Sequence, residues 1–197
     1  MVRRPVPLSR QSVIGAAREL IASDGLDALS LRRVAARLGV SAPALYAHVD
    51  NKSDLLRGVA ELEFEDLYDE FDAVAALDPI GRMRAHAHAY IDHARAHPAL
   101  FQVMFLFRPG WLPQPAADEL PAATKVFGLG MTAIEEAMQA GALRAADPLV
   151  TALALWATTH GAATVLLARL NLDDATEAQI VDGVIDNMLR GLAAQID

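Results

Sequence analysis

No cysteine occurs among the 197 residues, so disulfides and thiolate zinc sites are excluded. Charged residues are few, 21% against 53% hydrophobic, which excludes general disorder and leaves enough apolar material for a buried core. Arg3 and Arg4 precede no apolar stretch, so no secretory leader is expected and the protein is expected to be cytoplasmic. No run of alternating residues reads as a strand, and no segment repeats. A nucleophile elbow, a phosphate-binding loop and a metal-ligand quartet are all missing. Thr159 beside His160 is the only pair suggestive of catalysis, and a helix interior is a poor place for it. No catalytic residue, cofactor or metal is expected.

The one long uncharged run is the 20 residues from Leu149 to Ala168, enough to span a bilayer. It contains Thr151, Thr158, Thr159, His160, Gly161 and Thr164 and is flanked by no interfacial anchor. It reads as a helix buried on most sides in protein, and no membrane partner is expected.

What remains is helical almost throughout. Val13, Ile14, Ala17, Leu20 and Ile21 follow the helical period between Ser9 and Ser23, and Asp24-Gly25 ends that helix. Ser30 opens a second helix, which Gly39 stops, and Ser41 with Pro43 opens a very short third. Asp50 or Asn51 caps a long fourth helix running to about Leu77. Asp78-Pro79 precedes a helix from Ile80 to His97, and a short apolar helix covers 98–107. Residues 108–121 hold four prolines and a glycine counting Pro121, and read as a loop. Helices follow at about 122–140, from Asp147-Pro148 to Leu170, and from a capping box at Thr176 to Ala194. The fold class is all-α, with about nine helices.

Charge is divided unevenly along this chain. The whole carries 17 basic and 25 acidic residues, a net of −8, which taken alone argues against nucleic acid. Residues 1–57 hold nine basic and five acidic residues, a net of +4, leaving −12 on the remainder. Such asymmetry points to two modules with different partners. Within the first, two short helices meet at Gly39-Val40-Ser41, the spacing of a helix-turn-helix, with Val34, Ala35, Leu38, Val40 and Leu45 as the apolar seam. Arg32 and Arg33 occupy the first turn of the second helix and Lys52 that of the fourth. Cations are disfavoured there by some tenths of a kcal/mol, up to roughly 1, unless a phosphate is to sit beside them. Tyr46 and His48 follow where a hydroxyl and an imidazole reach phosphate oxygens, although Tyr46 also suits packing within the module.

Four segments, Leu29-Ser-Leu-Arg-Arg-Val-Ala35, Leu38-Gly-Val-Ser41, Leu45-Tyr-Ala-His-Val49 and Asn51-Lys-Ser-Asp-Leu-Leu56, together make a specific pattern. It resembles the tetracycline-repressor (TetR) family of bacterial helix-turn-helix regulators. The resemblance covers about a quarter of the chain in motif detail. It implies a DNA-binding domain at 1–57 and an effector-binding and dimerisation domain at 58–197. The implied function is that of a repressor released from a double-stranded, (pseudo)palindromic operator by a small apolar or aromatic effector. Residues 41–48 would be the recognition helix, with Pro43, Ala44, Tyr46 and His48 at contact positions, Arg32 at a base or phosphate and Lys52 at a phosphate. Ser30, Arg33, Ser41 and Ala42 complete the expected surface. Alanine at 42 makes direct readout thin, leaving more to Arg32 and to apolar contact with thymine methyls. The arm Met1–Leu8 either follows a minor groove or merely solvates the N-terminus.

Specific binding through one small module generally needs a dimer. The last two helices offer an interface: Val181, Val184, Ile185, Met188, Leu189 and Leu192 on one, Leu149, Leu153, Trp156, His160, Ala163 and Leu167 on the other, with Ala157 and Gly161 admitting a close partner. The alternative is a core facing only its own chain. Trp156…His160-Gly161 and the run from Tyr90 to Phe101 also resemble a Trp…His-Gly subgroup of the family's C-terminal domains. Candidate effector contacts are Met83, Tyr90, Phe101, Met104, Phe105, Phe107, Trp111, Phe127, Met131, Trp156 and His160, an adaptable apolar lining with few polar groups. His86, His93 and His97 share one arc of a helix. Without a carboxylate or cysteine on that arc they read as a solvated or ligand-contacting row rather than a metal site.

Overall fold

The computed structural model describes residues 8–75, 77–107, 120–168 and 170–194. The expected arm Met1–Pro7, the loop 108–119 and Trp111 within it lie outside them. Nine α-helices form among the described residues: α1 Arg10–Asp24, α2 Leu31–Leu38, α3 Ala42–Leu45, α4 Lys52–Asp72, α5 Pro79–Ala96, α6 Pro98–Met104, α7 Pro121–Gln139, α8 Pro148–Leu167 and α9 Asp174–Leu192. A 3-10 turn, Leu26–Ala28, joins α1 to α2. The chain divides into two compact units, Met1–Phe64 with Ala99–Pro121, and Glu65–Pro98 with Ala122–Asp197. The division within α4 falls seven residues beyond the charge boundary at 57, and α6 counts with the first unit from Ala99 onward.

In the first unit, the helix ends are set by side chains and by one glycine. Ser9 caps α1 reciprocally with Ser12, each hydroxyl accepting the other residue's N–H at 3.1 and 2.9 Å. Ser30 caps α2 by accepting the Arg33 N–H at 3.3 Å. Gly39 ends α2 at φ +70°, letting Gly39 and Val40 donate back to Ala36 and Ala35. This is the Schellman arrangement, which a side chain at Gly39 would strain. Asn51 accepts the Asp54 N–H at 3.0 Å and so caps α4. The core gathers Val13, Ala17, Leu20 and Ile21 of α1 with Val34, Leu45, Leu55 and Val59. Helices α1 and α4 approach closely at Gly58, where a Cβ would strike the Ile14 side chain.

In the second unit α5 packs against both α8 and α9. Ile91 and Ala94 of α5, Ala133 and Ile134 of α7, Ala163 of α8 and Ile185 of α9 are almost fully buried. Helix α9 runs antiparallel to α5, held along its length by Arg84–Asp186 at 2.6 Å, His88–Asp182 at 3.6 Å and Arg95–Glu177 at 2.7 Å. An antiparallel bridge, Leu143 to Ala193, ties the approach to α8 to the end of α9. Several boundaries differ from the sequence reading, α6 stopping at Met104 rather than 107 and α8 at Leu167 rather than about 170. Helix α4 stops at Asp72, five residues early, in a series of turns. Helix α9 starts at Asp174 because Asp173, rather than Thr176, is its cap, accepting the Thr176 N–H at 2.7 Å.

Candidate functional site

The first unit sorts its cations. Arg33 pairs with Asp24 and donates to the Ala28 carbonyl at 3.2 Å, and Arg37 reaches Glu19 at 3.1 Å. Arg18 meets the fully buried Glu63 at 2.5 Å. Arg10 donates to both oxygens of Asp54, at 2.8 and 2.6 Å, and to the His48 carbonyl at 3.0 Å. These contacts hold Asp54 down at about 2, through the Arg10 hydrogen bonds first and the Asp50 N–H at 3.0 Å as well. The Ser23 hydroxyl and then Arg33 likewise hold Asp24 below the ordinary carboxylate range. Arg32 and Lys52 are exposed, and neither forms an ion pair among the described residues.

The tip these two flank is accessible. Ser41 is exposed, and its hydroxyl makes no cap bond to α3. Ala42 and Ala44 are half-buried and Pro43 is exposed. Tyr46 is 58% exposed, which goes against a packing role within the module. The regular helix ends at Leu45, so Tyr46 and His48 stand in the turn that follows it rather than on α3. The His48 carbonyl is the group Arg10 holds, so the exit of α3 is fastened to both α1 and α4. The sequence reading missed this clamp: Arg10 and Asp54 stand 44 positions apart and share no pattern beyond opposite charge. Of the expected surface, Ser30 serves its helix cap and the exposed Arg33 an internal pair, leaving Arg32, Ser41, Pro43, Tyr46 and Lys52 as exposed residues without such a role.

The expected effector contacts do not gather in one unit. Phe101, Met104, Phe105 and Phe107 belong to the first. There Phe101 and Phe105 meet edge to face at 5.0 Å, Phe64 meets Phe105 at 5.9 Å, and Arg57 lies over Phe107 at 5.8 Å. The second unit holds Met83 and Tyr90 on α5, Phe127 and Met131 on α7, and Trp156 and His160 on α8. Three of these are linked. The Trp156 indole N–H, which can only donate, reaches the Tyr90 oxygen at 3.3 Å, and the Tyr90 hydroxyl shares a hydrogen bond with His160 Nδ1 at 2.8 Å. Burial pushes the Tyr90 phenol well up and His160 down, so both are neutral.

The histidine row is mostly buried rather than solvated. His86 and His93 are 7% and 3% exposed, packed against the end of α4, and only His97 is exposed. His86 stacks flat on Phe71 at 4.2 Å and donates Nε2–H to the Phe71 carbonyl at 3.2 Å. His93 Nδ1 lies 3.3 Å from the Glu70 carboxylate. The period placed these histidines on one arc but not the α4 residues covering it.

Among the expected dimer contacts, Val181 and Ile185 are buried in the chain's own core, so they add nothing to a partner surface. Leu153, Trp156, Leu167, Val184, Met188 and Leu192 keep some exposure, and Gly161 is exposed. Alongside Gly161 on α8 lie the exposed Val150, Ala154, Ala157 and Val165. The α8 threonines turn their hydroxyls back to carbonyls one turn earlier, at 2.8–2.9 Å, so this surface is apolar despite them.

A two-helix turn with free cations beside its exposed tip, joined to a larger all-helical unit, defines a helix-turn-helix transcriptional regulator. Residues 13–59 match the family described as bacterial regulatory proteins, tetR family, and residues 83–191 match the tetracyclin repressor-like C-terminal domain. An uncharacterised HTH-type transcriptional regulator of Mycobacterium tuberculosis is 30% identical over 201 residues, covering 100% of this chain and 85% of that protein. The structure of a protein of unknown function from Rhodococcus sp. RHA1 superposes with a TM-score of 0.80 at 31% identity, covering 98% of this chain and 100% of the other. The FadR regulator of Bacillus subtilis, in complex with stearoyl-CoA, shares the fold alone: TM-score 0.73, 16% identity, 92% and 98% coverage. The chain belongs to the TetR family of DNA-binding transcriptional regulators. Its relatives are transcription factors, not enzymes.

Proposed function

We propose that the protein is a homodimeric, cytoplasmic repressor that leaves a pseudo-palindromic operator when a small apolar or aromatic effector binds its second unit. The observation that carries the reading is the combination of Arg32 and Lys52, without an ion pair among the described residues around an accessible α3, with a hydrogen-bonded Tyr90–Trp156–His160 group in the second unit. The first suits phosphates and base edges; the second gives an apolar effector a few fixed polar contacts. Helix α8 supports the dimer. It is 20 residues long, yet only 33% of its most apolar stretch is buried in the chain, and its exposed side is small and apolar. Two such helices pack closely across a two-fold axis, bringing two reading helices to half-sites about one turn of DNA apart. Helix α4 belongs to both units, so we assign it the coupling between them. A coupling of roughly 3 kcal/mol would lower operator affinity ~100-fold.

Fluorescence anisotropy with DNA from upstream of the protein's own gene tests the reading. The expected result is nanomolar binding with a steep salt dependence, lost on adding the effector. DNA affinity that is weak and insensitive to salt would overturn it.

A further inference from the structure

Helix α5 carries two buried polar atoms that nothing in the described protein satisfies, one turn apart. Arg82 gives a terminal nitrogen to Glu136, but its Nε is buried without a hydrogen-bond partner. His86 gives its Nε2–H to the Phe71 carbonyl, so Nε2 holds the ring proton and Nδ1 is an acceptor; Nδ1 is buried without a partner. Groups left this way are costly, and a native structure normally pairs them. Their chemistry is fixed. A guanidinium keeps its protons, so Arg82 Nε always donates. Burial, and next the nearby Arg82 charge, hold His86 below its ordinary value, so Nδ1 stays an acceptor at neutral pH.

One donor and one acceptor on a single helix face describe the group they await. A hydroxyl oxygen accepts from Arg82 Nε–H while its proton goes to His86 Nδ1. A carboxylate has no proton for Nδ1, and an ammonium has no lone pair for Nε. The same face continues through the buried Met83 and Tyr90, and the Phe71 ring lies flat against the imidazole. These surfaces favour an aromatic body. We propose that Arg82 and His86 form a hydroxyl-binding anchor that takes the phenolic or alcoholic end of an aromatic ligand. This rests on the reading of the second unit as the effector domain and names the effector's polar group.

The test uses full-length protein with nitrogen-15-labelled histidine, probed with phenol and with anisole, which has the same ring but no hydroxyl proton. Phenol should move the His86 Nδ1 resonance towards its hydrogen-bonded position and bind about 10-fold tighter than anisole. Arg82→Gln should bring the two probes together. Equal binding of both probes, or an unmoved Nδ1 signal at saturating phenol, would overturn the anchor and leave water as the partner of these atoms. Operator affinity, measured separately, keeps the two readings apart. Operator release by another effector with His86 unmoved removes the anchor but keeps the proposed function. A phenol-shifted His86 supports the anchor whatever the operator does.

Discussion

Replacing Asp54 by Asn keeps the shape of the clamp at the exit of α3 and removes its charge. Two charge-assisted hydrogen bonds, at 2.8 and 2.6 Å, then lose their ionic character. Bonds to charged groups are worth ~1.5–3 kcal/mol and fully exposed ion pairs only ~0.2–1. The Asp54 side chain is 20% exposed and that of Arg10 48%, so the clamp lies between those cases, at about 1–2 kcal/mol. The depressed carboxyl sets a ceiling consistent with this. A fall from 3.8 to about 2 would be worth roughly 2.5 kcal/mol if solvent screened nothing, and the half-exposed arginine reduces it. Thermal unfolding at fixed protein concentration should show Asp54→Asn melting several degrees lower at pH 7, at about 2–4 °C per kcal/mol. The sign with pH follows from a carboxyl that is more acidic folded than unfolded. The wild-type advantage should be complete above about pH 5 and fade as pH falls through about 2, below which both states are protonated. An unchanged melting temperature at pH 7, or a gap undiminished near pH 2, would refute the assignment.

Arg32→Ala should weaken operator binding and reduce the magnitude of the salt slope by about 1, whereas Arg33→Ala should leave the slope unchanged and lower stability only slightly, read by titration over several salt concentrations and by urea unfolding. Ala157→Glu places a charge on the exposed side of α8; analytical ultracentrifugation should find a monomer, with operator binding lost, and an intact dimer would dismiss that face as the interface. Tyr90→Phe removes the hydroxyl between Trp156 and His160 and should cost about 1–3 kcal/mol in urea unfolding, because it takes a partner from each. A loss below about 0.5 kcal/mol would mean that the network is satisfied by other groups.

Helix starts were the most legible part of this chain. Ser30 and Asp147 cap the helices expected of them, and Ser9 and Asp78 cap the helices expected to open beside them, because a capping side chain acts within three residues. At α9 two caps competed, and Asp173 prevailed over the box at Thr176 by reaching the Thr176 N–H itself. The end of α4 was illegible, since Ala73-Val-Ala-Ala-Leu77 contains no residue that breaks a helix. Burial of His86 and His93 depends on Phe71 and Glu70 of another helix, and no periodicity along α5 can report that. The exposed tip of the helix-turn-helix was legible from spacing. Which arginines stay free depended on partners such as Asp24, Glu19 and Asp54, which only the packed unit brings near.

That sorting of cations bears on how the regulator finds its site. Affinity for random duplex grows with the number of phosphates neutralised, because each neutralised phosphate releases counterions. Arg10, Arg18, Arg33 and Arg37 already answer to carboxylates within the unit. Among the described residues the first unit therefore offers bulk chromosome a small cationic grip, from Arg32 and Lys52. A protein that adheres weakly to non-operator sequence dissociates from it sooner, and a smaller share of its copies is sequestered there at any moment. A modest number of molecules per cell can then keep an operator occupied.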